Sequence, residues 1–482
     1  MTTFEEDCIK YNFTKSQKET VSEAIDFIAK PFNNSKFIIG INGAGGTGKT
    51  YITNYIVKKC KYSTSVIRCC STTHKACRVF SAAIGGLEVN TIQSTFGLRL
   101  NLNLEDFDPN RPQFNPMASP KLENIKLIII DEVSMLPGKL VNYIIKVCKE
   151  KEIKIIGLGD GNQLAPVNES KSLFFHKCNK VFTLTEIVRQ ESSNPVGELL
   201  QILRDDIDNK TFNFINFLHN NINNYCYNDK AQGWCIITPN KFKNYIDTSF
   251  NDEEYTKNID LYRIIAYTNK SVADWNKYIR NNIIQDSDKK IITKHDLIMS
   301  YETIVDEFLS IILSNSEEYI INNIVDYVDS DYGFKGFLIK FQMVNGGIIT
   351  KPLFIINHKD DYTIQKYYKT ITELIKYAKN STSGNRSKRW KEYYDFKRKY
   401  LLAANILDRN GNIIIQRDID YGFAITSHKS QGSTYNTVFV DANDMIYDKN
   451  NKLYNNMDDL RRRLYVACSR TKNNLIICYG KD

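Results

Sequence analysis

Residues 37–50 read Phe37-Ile38-Ile39-Gly40-Ile41-Asn42-Gly43-Ala44-Gly45-Gly46-Thr47-Gly48-Lys49-Thr50. The spacing of Gly43, Gly48, Lys49 and Thr50 is the Walker A pattern, G-x-x-x-x-G-K-[ST]. Small residues at 43–48 let consecutive backbone N–H groups curl around phosphate oxygens, and the N-terminus of a following helix adds its dipole. In such a loop Gly43, Ala44, Gly45, Gly46, Thr47 and Gly48 form the cradle. Lys49 reaches the terminal phosphates and the Thr50 hydroxyl faces Mg²⁺. The flanks fit: 37–41 is an apolar run suited to a buried strand, and 51–59 has helical character. The stretch therefore predicts a strand, a phosphate loop and a helix.

Working outward, 126–131 is a second buried strand that delivers Asp131 and Glu132 to its carboxyl end. Beside a Walker A loop this is the Walker B arrangement, with Asp131 on the metal and Glu132 orienting and polarising the attacking water. Residues 65–70, 153–158 and 182–184 are further strands, with helical stretches between them. Strand–helix alternation of this kind predicts a parallel sheet covered on both faces, whose ligands sit at the strands' carboxyl ends. The polar stretches fall there. Thr73, His74 and Lys75 follow one strand, and Gln163 follows another, where an amide can sense a γ-phosphate. Arg189 follows a third, as a surface charge or as an arginine finger. Gln17, after Phe13-Thr14-Lys15-Ser16, opens a helix that Thr14 or Ser16 can cap, and its amide could read an adenine edge.

Residues 98–120 lose helical periodicity and hold Phe107 and Phe114, which predicts an inserted loop or hairpin. A second α/β region begins near 191, with a strand at 263–267 and a helix through Arg280. It is interrupted at 290–358 by short alternating runs that read as a small antiparallel barrel or sheet. Residues 361–405 then turn helical, with a breaker at 381–385. The second helix, 386–400, is basic and aromatic. Its residues either stack bases and hold phosphates or pack a neighbouring domain under snorkelling lysines. Strands at 422–426, 437–441 and 475–479 and a helix at 458–468 resume the α/β pattern.

The chain has 482 residues, 42% hydrophobic and 25% charged, with a formal net charge of +9. That balance is ordinary for a globular protein and suits a polyanionic partner. The acidic start has no apolar core of a signal peptide, and no run is long enough for a bilayer span. Eleven scattered cysteines without a C-x-x-C pair predict reduced thiols in a cytoplasmic compartment and no zinc.

Taken in order, the stretches 43–50, 72–76, 128–134, 159–167, 184–190, 424–432 and 464–471 resemble the motifs of superfamily 1 helicases. The Ile-Asp-Glu-Val-Ser-Met and Ser-His-Lys-Ser-Gln-Gly segments resemble the 5′→3′, RecD-like branch, and 266–272 with the long insertion resembles the Dda-type phage helicases. The resemblance implies an α/β fold of two RecA-like P-loop parallel-sheet domains, with a hairpin insertion in the first and a small β plus helical insertion in the second. The implied division is 1–190 (with a pin-like segment at 96–120), 191–289 with 406–482, and an insertion at 290–405. It implies an ATP- and Mg²⁺-dependent 5′→3′ DNA helicase acting in replication, recombination or repair. The alternative is a translocase that remodels RNA or strips proteins without unwinding.

By the same resemblance Lys49, Glu132, Gln163, Arg189 and Arg470 are catalytic, and Thr50 and Asp131 hold the metal. Thr73, His74, Lys75, Ser94, Asn269, Thr426 and His428 hold single-stranded DNA, and Phe107 or Phe114 is the strand-separating pin. Implied partners are single-stranded and fork DNA, with single-strand-binding or replisome proteins as candidates. The expected state is a monomer without a membrane, in the host cytoplasm if the gene is a phage's. Two positions depart from the family: Thr72 stands where proline is usual, and Gln93 where histidine is common.

Overall fold

Six apolar segments form the first sheet: β1 (Ile38–Gly43), β2 (Ile67–Ser71), β3 (Val89–Thr91), β4 (Leu127–Ile130), β5 (Lys154–Gly159) and β6 (Lys180–Leu184). The computed structural model, which describes residues 4–98, 119–166, 169, 171–186, 193–287, 290–306, 310–344, 349–408 and 410–482, orders them β3-β2-β4-β5-β1-β6. All five pairings are parallel. β4 and β5 are buried along their whole length, as strands covered on both faces must be. Helix Gly138–Glu150 covers one face through Leu140, Val141 and Ile144. Helices Lys15–Ala29, Lys49–Lys59 and His74–Ala83 cover the other through Val21, Ile52, Ile56 and Phe80. All strand carboxyl ends lie on one edge, which gathers the loops after β1, β2, β4 and β5.

The chain divides into two compact units. The first is Met1–Phe242, Ile265–Thr268 and Thr426–Asp482; the second is Lys243–Ile264 and Asn269–Ile425. The first unit holds the sheet above and a second one. In it Tyr435–Asp441, Thr471–Cys478 and Gly233–Ile237 run parallel, and Tyr225–Tyr227 joins antiparallel at the edge. The sequence reading missed the 225–227 and 233–237 strands because they are short and lack alternation. Helices Val196–Asn209 and Met457–Cys468 pack together beside this sheet.

The second unit has a six-stranded sheet, ordered Tyr400–Leu401, Leu353–Ile356, Lys335–Met343, Glu318–Val328, Leu297–Ser300, Ile419–Tyr421. Every pairing is antiparallel except that of Tyr400–Leu401 with Leu353–Ile356. The sheet thus reaches past 358 and borrows strands of two and three residues from 400–401 and 419–421, too short to show a period. Two buried ion pairs, Arg263–Glu318 (3.0 Å) and Arg280–Asp296 (2.7 Å), fasten the elements before 297 to it. Helices Asp361–Asn380 and Ser383–Lys399 follow. The second begins inside the stretch read as a breaker, where Thr382 stands at its N-cap. No described helix is long and apolar enough to cross a membrane.

Candidate functional site

The phosphate loop leaves β1 at Gly43 and enters helix Lys49–Lys59 through Gly48. Gly46 and Gly48 have φ of 86° and 82°, a region that L side chains rarely adopt. A Cβ on Gly48 would stand 2.6 Å from the Gln17 amide nitrogen, and one on Gly43 would stand 2.5 Å from the Thr47 hydroxyl. Both positions therefore require glycine. No side chain caps the helix, so its first N–H groups stay available to an anion. Lys49 Nζ bends back and donates to Gly43 O (2.6 Å) and Ala44 O (3.1 Å). Thr50, at the helix's second position, is half-buried.

Gln17 braces this loop. Its Nε2 donates to Thr47 O (2.9 Å), while its Oε1 accepts from Thr14 N (3.1 Å) and closes a capping box with Thr14. Neighbouring Ser16 bonds through its hydroxyl to Glu186 at the end of β6. That bond holds the Glu186 carboxyl down at about 2. The amide placed for adenine by its sequence thus also ties the helix start to the loop.

At the end of β4, Asp131 and Glu132 are half-buried, and Asp131 Oδ1 accepts from Glu132 N (3.0 Å). Desolvation and the adjacent Glu132 push the Asp131 carboxyl up to about 7, against the pull of Lys49. Glu132 has φ 56° and ψ 40°, an uncommon conformation for a non-glycine residue and one that concentrates at active sites. Glu132 and Lys49 both lie close enough to act on the charge of Asp131.

The loop after β5 is the best-held part of the site. Gly161 N donates to Asn42 Oδ1 (2.8 Å), so the loop is tied to β1. From the second sheet's side of the same unit, the Tyr465 hydroxyl donates to buried Asp160 (2.8 Å). Arg462 Nη1 donates to Gly161 O (2.5 Å) and Gln163 O (2.9 Å), and Gln431 Nε2 lies 3.5 Å from Gln163 Oε1. Burial lowers the Arg462 pKa and raises that of Tyr465. Sequence reasoning assigned no role to Arg462, Tyr465 or Gln431. The signal present was the placement of Gln431 in 424–432 and of Tyr465 in 464–471, with Arg462 just before the latter and three residues from Tyr465 along one helix.

Arg470 is buried and bonds within its own region: Nε donates to Val466 O (3.1 Å), Nη2 to Ser469 Oγ (2.9 Å) and Nη1 to Ser433 O (3.5 Å). In this arrangement it caps the end of its helix. Arg189, Phe107 and Phe114 lie outside the described residues.

Of the candidates for nucleic-acid contact, those at 73–75 and 426–428 lie in two neighbouring stretches of the first unit. Thr73 caps helix His74–Ala83 by accepting from Ala76 N (3.1 Å), and Thr426 accepts from Lys429 N (3.2 Å). Each hydroxyl keeps its own proton to donate outward. Ser94 is half-buried in helix Ile92–Thr95. A Cβ on Gly432 would lie 3.8 Å from that of Ala76, and Lys75 stands over the Tyr435 ring at 5.3 Å. Residues 73–76 and 426–435 are therefore neighbours. Burial lowers the pKa of both His74 and His428, so each is a neutral imidazole near pH 7. Asn269, exposed, opens a helix of the second unit.

Comparison with known proteins agrees with this geometry. An AAA domain model matches residues 16–220, and a UvrD-like helicase C-terminal domain model matches 421–478. The ATP-dependent DNA helicase dda of Enterobacteria phage T4 is 24% identical, over 89% of this chain and 92% of that one. An uncharacterised protein of Acanthamoeba polyphaga mimivirus is 24% identical over 96% and 99%. A solved structure of Pif1 helicases at forked double-stranded DNA shares the fold with a TM-score of 0.50, at 16% identity over 96% of this chain and 91% of that one. Two domain models in the right order and a relative matched nearly end to end, with a fold shared with Pif1, support a superfamily 1 helicase of the RecD-like branch, similar to Dda and Pif1.

Proposed function

We propose that this helicase hydrolyses ATP at the 43–50 loop and uses the energy to move 5′→3′ along single-stranded DNA, opening duplex ahead of it. The observation that carries the reading is the double hold on the 160–163 loop. One set of bonds comes from Asn42 beside the phosphate loop, the other from Arg462, Tyr465 and Gln431. A loop gripped from both sides can transmit a change at the phosphates to the second sheet, as a two-state element biased by ligand.

Lys49 exchanges its two carbonyl partners for phosphate oxygens when ATP enters. Glu132 takes the proton of the attacking water, Gln163 reports the γ-phosphate, and Gln17 contacts adenine from the helix start beside the loop that it braces. Arg470 leaves its helix cap, and with Arg189 it neutralises charge developing on the transferred phosphoryl group. Asp131 and Thr50 fit a divalent cation: a half-buried carboxylate held up at about 7 beside a second acid gains from a positive neighbour. Mg²⁺ bound there supplies charge neutralisation at the phosphates.

The DNA strand runs over Thr73, His74, Lys75, Ser94, Thr426 and His428, with Asn269 from the second unit. Residues 1–190 and 191–289 with 406–482 act as the two motor domains, and 290–405 is the insertion. Phe107 or Phe114 serves as the pin. The eleven free cysteines support a reducing, cytoplasmic setting.

ATP turnover measured with and without a homopolymeric single strand tests the reading. Low basal turnover that rises strongly with DNA is expected. Full turnover without nucleic acid contradicts a DNA-coupled motor.

A further inference from the structure

Residues 361–400 hold eleven Lys and Arg against four Asp and Glu, a net +7 in a chain whose total is +9. These 40 residues are the antiparallel helices Asp361–Asn380 and Ser383–Lys399, roughly 30 and 25 Å long at 1.5 Å per residue. Their apolar anchor is at one end. Tyr367, Ile371, Phe396 and Tyr400 are buried with Phe334 and Phe354 against the second unit's sheet. Toward the connecting turn, Ala378 is the last buried residue of the first helix, and no described residue of the second is buried before Phe396.

The charges divide the same way. Near the anchor they are used internally: Lys397 lies 3.6 Å from Asp418, Lys399 lies 2.5 Å from Asp331, and Arg398 pairs with Asp395. Near the turn, Lys376, Lys379, Arg386, Lys388 and Lys391 are exposed and make no ion pair among the described residues. Five like charges around one turn repel each other, and no ion pair among the described residues offsets them. A polyanionic partner would.

We propose that the tip of this helical pair binds the sugar-phosphate backbone of duplex DNA, a grip separate from the single-strand patch. The inference rests on the helicase reading. A single strand is held in a groove with open rings on which bases stack. Here Trp390, Tyr393 and Tyr394 pack on one another, with centroids 5.1–6.1 Å apart. Tyr377 and Tyr394 are the exposed rings beside these cations, and Tyr394 keeps one side against Trp390. Many cations to few open rings suit duplex, which carries about one charge per 1.7 Å of its axis. The contact is sequence-blind, because lysine and arginine on backbone phosphates read no base.

The test uses the full chain with Lys376, Lys379, Arg386 and Lys388 changed together to Gln, beside a variant that exchanges Lys and Arg and keeps the charge. Binding of a blunt duplex is measured against salt without nucleotide, and turnover is measured against single-stranded DNA. The Gln variant should lose about tenfold or more in duplex affinity at low salt, and its log K against log salt should flatten by about 3–4. The single-strand concentration that half-saturates turnover should not move, and the charge-keeping variant should bind duplex like the native chain. Unchanged duplex binding in the Gln variant, or none in the native chain, overturns the proposal. So does a loss of single-strand stimulation in step with duplex affinity, which would put the tip on the single strand. Failure of the helicase reading would show separately, as native protein whose turnover ignores single-stranded DNA.

Discussion

The phosphate loop and the helical pair at 361–400 both meet phosphate charge, and they do so by opposite means. The loop uses one lysine, Lys49, held on two carbonyls at 2.6 and 3.1 Å and framed by backbone that only glycine permits. The helical pair uses eleven cations, and five of those near its turn make no ion pair among the described residues. Catalysis depends on where a charge is, because a transition state tests position. Affinity for a polyanion depends on how many charges there are, because each displaces counterions wherever it lands. The comparison predicts that single substitutions are severe at the loop and mild at the helical pair.

The largest effects fall on the positioned side. Arg470→Ala should cost about 10³-fold or more in DNA-stimulated turnover if the side chain acts as an arginine finger. If it remains a helix cap, the same variant lowers the melting temperature and spares turnover, so the two readouts decide between the roles. Glu132→Gln should retain ATP binding and lose about 10²–10⁴-fold in turnover, since an amide cannot take the proton. Native-rate hydrolysis by this variant would remove Glu132 from the site.

Intermediate effects belong to the hold on the 160–163 loop. Arg462→Ala removes two charge-assisted bonds worth about 1.5–3 kcal/mol each, and at least tenfold weaker stimulation by single-stranded DNA should follow. Basal turnover is the control; a fall there of the same size would mean that Arg462 serves chemistry and not coupling. Tyr465→Phe deletes one buried bond to Asp160 and should cost about 1 kcal/mol of stability in a denaturant titration, with a small effect on turnover.

The smallest expected signal is a slope. The seven candidate single-strand contacts include one fixed cation, Lys75, because His74 and His428 are neutral near pH 7. Neutralising Lys75 should therefore flatten the salt dependence of single-strand binding by about 0.7, the value for one phosphate. A larger change would show that Lys75 orders other cations around the strand.

What the sequence disclosed follows the same division. Residues 43–50 and 128–132 were legible because phosphate and metal chemistry allow few residue types, in fixed local spacing. The strands read at 37–41 and 126–131 appear at Ile38–Gly43 and Leu127–Ile130, since a buried parallel strand is a continuous apolar run. The Gln17 brace on Thr47 and the Arg462 and Tyr465 bonds were not legible. They join residues 30 to about 300 positions apart, and no local pattern encodes such pairings. The insertion was half legible. Its helices announced themselves by period and charge, but its sheet is completed by the pieces Tyr400–Leu401 and Ile419–Tyr421. Strands that short carry no periodicity, and tertiary pairing alone makes them strands.

The most direct test of the account is unwinding of two DNA duplexes that differ only in which strand carries the single-stranded tail, with ATP and Mg²⁺ present. The account predicts opening of the 5′-tailed duplex, no opening of the 3′-tailed one, and loss of both turnover and opening in Glu132→Gln. Opening of the 3′-tailed duplex would contradict the polarity. ATP turnover stimulated by single strands without opening of either duplex would contradict the claim that this motor unwinds DNA.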